Sequence, residues 1–152
     1  MKKVLKVIVI VIAVGFIVAQ FIRPDQTNPP IDNSQTLETS LAIPDDVEAI
    51  LKRSCNDCHS NRTAYPWYAQ VSPFSWFLDN HIRDGRRQMN LSEWGSYDAR
   101  RKNKKMEQVC EQVQTGEMPL PSYLWIHRSS ELSDAEIARL CDWSSEVRQT
   151  LQ

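Results

Sequence analysis

At 152 residues the chain is long enough for one domain of ordinary size with appendages. Its 18 Lys and Arg nearly balance 19 Asp and Glu, but Lys2, Lys3, Lys6 and Arg23 all precede Pro24 and no acidic residue does, so the remainder carries a net −5. A mildly acidic body argues against a nucleic-acid partner, which would need a basic face to neutralise phosphates, and Cys110 and Cys141, the two cysteines outside the Cys55/Cys58 pair, are too few for a disulfide scaffold.

The first element is apolar. Val4 to Ile22 is interrupted only by Lys6 near one end and Gln20 near the other. At about 1.5 Å per residue a helix of that length spans roughly 28 Å, close to the ~30 Å core of a bilayer. The alternative is a cleaved signal peptide, whose nearest small-x-small site, Ala13-Val14-Gly15, would leave Phe16 to Ile22 as an apolar end. Residues 1–22 are therefore expected to be a single transmembrane anchor. Three lysines lie before it and Arg23, Pro24 and Asp25 after it. That asymmetry predicts a single-pass protein of a bacterial inner membrane with its body on the periplasmic side.

Residues 23–40 are polar, contain Pro24, Pro29 and Pro30, and show no periodicity, which predicts a flexible linker. Residues 41–152 then read as one all-α domain without an alternating strand pattern. Pro44-Asp45 opens a helix with Val47, Ile50 and Leu51 in phase, running directly into Cys55. Ser72-Pro73 opens a second, carrying Phe74, Phe77, Leu78 and His81 and able to end at Gly85. A third, about Ala99 to Gln114, has a basic start, an inner stripe of Met106, Val109, Cys110 and Val113, and Gly116 as its stop. The fourth opens with Ser133-Asp134-Ala135-Glu136, a capping box, and continues through Ile137, Leu140, Cys141, Ser144 and Leu151.

Between the first two helices lies Cys55-Asn56-Asp57-Cys58-His59. Two thiols three residues apart on a helical turn can form thioethers with neighbouring vinyl groups of one porphyrin. A histidine directly after the second thiol can bind the iron, so the pentapeptide reads as a c-type haem attachment site. A thioredoxin-like redox pair would need a strand before the motif, and a structural zinc site a second closely spaced pair. Neither is present.

Met118, in the loop Gly116-Glu117-Met118-Pro119-Leu120, is the candidate second axial ligand, with Met89 next. Met106 falls on an apolar stripe and is expected in the core. His81 and His127 read as hydrogen-bonded structural histidines. Trp67, Tyr68, Trp76 and Trp94 are candidates to wall a flat macrocycle, as is Tyr97, with Arg86 or Arg87 to neutralise its propionates. Cys110 and Cys141 sit on the inner stripes of two helices and form either a disulfide or two buried thiols.

Taken together these residues resemble the bacterial haem-binding domain family, small membrane-anchored or exported proteins with one cytochrome c-like haem site. The resemblance rests on Asn28-Pro29-Pro30, Cys55 to Asn61, Pro66-Trp67-Tyr68, Ser75-Trp76, Gly85-Arg86, Asn90 to Trp94 and Gly116-Glu117-Met118-Pro119, and covers about Asn28 to Trp143. It implies a cytochrome c-like helical domain around one covalent haem c, with His59 as a ligand and Met118 at the matching second position. The expected function is one-electron transfer with a redox protein partner rather than an enzymatic one. A peroxidase-type haem enzyme, or a haem sensor or assembly partner, are the alternatives.

Overall fold

Apolar phase and capping chemistry set the helices. The computed structural model describes residues 1–151, and all regular elements among them are helical. They are α1 (Lys2–Ala19), α2 (Leu37–Ser40), α3 (Asp45–Ser54), α4 (Asn56–His59), α5 (Phe74–Gln88), α6 (Ala99–Gln114), α7 (Pro121–Leu124) and α8 (Asp134–Thr150), with short 3₁₀ turns between. Acidic residues fill the first turn of α3 and basic ones its last, as the helix dipole favours. Asp98 caps α6 through the Arg101 N–H. Gly116 follows α6 with φ of +71°, a left-handed conformation that glycine adopts without strain. Both halves of the Ser133/Glu136 capping box are made at the start of α8.

One core joins these elements. Val47, Ile50 and Leu51 of α3 meet Met106 and Val113 of α6 and Leu140, Trp143 and Val147 of α8. Helices α6 and α8 are tied further by a disulfide between Cys110 and Cys141, whose Cα atoms are 4.6 Å apart. The buried Ser144 hydroxyl donates to the Met106 carbonyl.

The N-terminal segment corrects the expected transmembrane anchor. No helix among the described residues is long and apolar enough to cross a membrane. Helix α1 has 18 residues, about 27 Å of rise, and Lys2, Lys3 and Lys6 occupy its first turn and a half. Its uninterrupted apolar part, Val7 to Ala19, is only about 20 Å long, against a hydrocarbon core of ~30 Å. The helix also stops early, because Gln20 turns to the body. Its side chain donates to the Ser72 carbonyl and accepts from the Ser72 N–H, both at 3.0 Å. The Trp76 indole N–H donates to the Ile22 carbonyl at 2.7 Å.

The stretch read as a linker is strapped to the domain by contacts that its composition does not reveal. Asn28 pairs with the Thr63 backbone in both directions, at 3.0 and 3.2 Å. The Asn61 amide donates to the Pro30 carbonyl at 3.3 Å. Thr36 caps α2, and Leu37 is buried in the core.

Candidate functional site

Helix α3 ends at Ser54 and the chain re-enters helix at once, so Cys55 to His59 occupy one tight turn. The Cys55 N–H still donates to the Leu51 carbonyl at 3.0 Å. Its own carbonyl accepts from the N–H groups of Cys58 and His59, at 3.2 and 3.0 Å. Both sulfurs and the imidazole are thereby fixed on a few residues of backbone.

Helix α5 closes on this turn. Gly85, read as a helix stop, lies inside α5, which runs on to Gln88. A Cβ at Gly85 would sit 2.5 Å from the Cys58 carbonyl oxygen, so glycine is required for the approach. Arg86 then clamps the end of the turn. Its Nε–H donates to the Ser60 carbonyl at 2.9 Å, and its Nη2 to Asn28 Oδ1 and Thr63 Oγ1 at 2.7 and 2.9 Å. Gly85→Ala is expected to lower stability by about 1–3 kcal/mol by overpacking backbone against backbone. A thermal melt checks it, and an unchanged Tm would show that α5 yields freely.

Beside the turn lies a cavity of about 520 Å³, within the ~300–1,000 Å³ usual for ligand clefts. Cys55, Cys58 and His59 form one part of its wall. Met118, Leu120 and Tyr123 form another, and Val109 and Val113 of α6 give it an apolar side. The burial of this region pushes the Cys55 thiol up to about 12, and burial with the Asp57 charge pushes Cys58 up to about 11. Both thiols are free, and both are protonated at neutral pH.

His59 is oriented by the chain. Its Nδ1 lies 3.0 Å from the Met89 carbonyl oxygen. A carbonyl can only accept, so Nδ1 carries the proton and Nε2 keeps its lone pair. Burial holds the ring's pKa below the usual histidine value, which favours the neutral form that binds metal. Two thiols on one turn, an imidazole with Nε2 unprotonated, a thioether on the same cavity and apolar walls are a donor set that fits a covalently attached haem.

The structure sorts the other candidates. Met118 lines the cavity, its loop held by the Met118 N–H donating to the Gln112 carbonyl at 3.0 Å. Met89 lines it too, while Met106 is buried in the core. His81 lines it with Nδ1–H donated to the Phe77 carbonyl at 2.7 Å. His127 lies apart, stacked on Tyr123 and bonded through Nε2 to the Tyr68 hydroxyl at 2.7 Å.

None of Trp67, Tyr68, Trp76, Arg86 and Trp94 is among the lining residues. Trp67 and Trp76 are exposed, Tyr68 is engaged with His127, and Arg86 serves as the clamp. Trp94 is fully buried with its indole N–H unpaired. Tyr97 is buried beside it, and Arg87 is paired with Asp84 at 2.9 Å.

Two of the lining residues that sequence reasoning missed bear on the site's chemistry. Tyr123, on the short helix opened by Pro121, donates its hydroxyl to Asp57 Oδ2 at 2.8 Å and so braces the motif's own turn. Lys105 lies four residues before Val109 and eight before Val113, in phase with the inner stripe of α6. Its charge made it read as solvated surface.

A family model described as a haem-binding domain matches residues 14–146, beginning inside α1. No curated protein and no solved structure matches the chain.

Proposed function

The chain belongs to the haem-binding domain family, and from that premise we propose that it carries one haem c, joined through Cys55 and Cys58 and ligated by His59 and Met118, and passes single electrons to and from a redox protein partner. The observation that carries this reading is the placing of both thiols, the His59 ring and Met118 on one cavity. Haem, when bound, supplies an iron that alternates between ferric and ferrous states. The protein supplies the rest. The Met89 carbonyl holds His59 by its Nδ1–H, which fixes the tautomer and the ring plane. The Gln112 carbonyl anchors the Met118 loop. Val109, Val113 and Leu120 give the site apolar walls. A methionine opposite a histidine favours the ferrous state and raises the potential. A compartment outside the cytoplasm, the periplasm of a bacterium, is consistent with the Cys110–Cys141 disulfide.

His81 favours a second reading. It lines the same cavity with Nδ1 already used, so its Nε2 is the atom left to act. It could replace Met118 at the iron, or serve as a distal acid/base in a peroxidase-type enzyme. Absorption spectra separate these cases. The ferric protein should show the weak band at the red edge of the visible that methionine–iron bonds give. Met118→Ala should abolish that band and His81→Ala should leave it. A wild type without the band, or a band surviving Met118→Ala, would remove Met118 from the iron.

A further inference from the structure

A haem carries two propionate carboxylates on the edge away from its vinyl groups. The attachment turn fixes the vinyl edge, so the carboxylates must meet some other part of the wall. The arginines that the sequence offered for them are engaged elsewhere, Arg86 on Ser60, Asn28 and Thr63, and Arg87 on Asp84. The acidic lining residues belong to the elements near the motif. Asp57 is on α4, taken by Tyr123, and Asp84 is on α5, paired with Arg87. Helix α6 contributes no acid to the wall. It contributes Lys105, with the amides of Gln108 and Gln112.

Lys105 is half-buried, and its Nζ donates to Gln108 Oε1 at 2.8 Å. Seven ion pairs are formed among the described residues, and Lys105 is in none of them. It is the one Lys or Arg among the residues lining the cavity. A half-buried ammonium with donors to spare, facing a cavity rather than a carboxylate, is suited to an anionic ligand. From this geometry we infer that Lys105, positioned by Gln108, receives a propionate carboxylate of the haem. The inference rests on the reading that this cavity holds the haem, and it names α6 as the wall that fixes the macrocycle's polar edge.

The test separates carboxylate recognition from general support. The full chain carrying Cys55→Ser and Cys58→Ser, which makes binding reversible, is titrated with ferric haem and with its dimethyl ester, followed by absorbance. Lys105→Gln should weaken binding of the diacid roughly tenfold and leave the ester unchanged, and Lys105→Arg should restore the diacid. Lys105→Met, which keeps the aliphatic stem, guards against a packing defect. Equal losses for both ligands, or no loss for either, would overturn the assignment. Binding that is also indifferent to His59→Ala would show instead that the haem lies outside this cavity, and the parent reading would fall with it.

Discussion

A chain carrying Cys55→Ala and Cys58→Ala is expected to lose all haem staining after denaturing electrophoresis, while the parent chain stains. Axial bonds from His59 and Met118 depend on the fold, and a denaturant breaks them. Thioethers do not. Either single substitution leaves one sulfur and should leave partial staining. The fold should tolerate the change, since the Cys55 N–H, its carbonyl and the surrounding turn are held by backbone bonds. The rival uses of two neighbouring thiols fit the site poorly. A redox-active pair needs a depressed thiol pKa, and burial pushes these up to about 12 and about 11. Among the described residues no group of three or more His, Cys, Asp or Glu is placed to hold a metal ion, as a structural zinc would require. Staining that persists in the double variant would refute covalent attachment at this motif.

Replacing Cys110 and Cys141 by serine should cost about 3–4 kcal/mol, from the loop-closure entropy of a disulfide spanning 31 residues. That is a large part of the ~5–15 kcal/mol by which domains of this size are stable. Urea unfolding of parent and variant, read as a shift in midpoint, gives the number. A loss below about 1 kcal/mol would mean that packing between α6 and α8 suffices without the bond. Met118 and Tyr123 both lie between the two cysteines. The variant should therefore also weaken the red-edge band while leaving covalent haem in place.

Much of the fold was legible because its rules are local. The stripes Val47-Ile50-Leu51 and Met106-Val113 are the buried faces of α3 and α6, and Ser133 and Glu136 open α8 as their spacing requires. The misreadings share a different cause. The apolar run extends through Ile22, but the helix ends where Gln20 finds Ser72, a partner 52 residues away. Gly85 has the sequence character of a helix stop and is instead the point where two helices touch. Periodicity cannot tell those roles apart. At the site, the attachment motif is read from covalent spacing alone, and Met118 from its loop. The walls are a tertiary product. Trp67, Tyr68 and Trp76, near the motif in sequence, are not among the lining residues, whereas Lys105, 46 positions after His59, is.

The bond between α6 and α8 also decides what a protease can do. The segment from Cys110 to Cys141 is a closed ring, and its exposed large apolar side chains, Trp125 and Ile126, project from it. Cleavage there would open the ring without releasing either piece. Cys55, Cys58, His59 and Met118 would stay together on the first fragment, and α8, with Leu140 and Trp143 of the core, would remain attached through sulfur. One cut at this exposed loop therefore leaves the candidate site and its supporting helix in a single molecule.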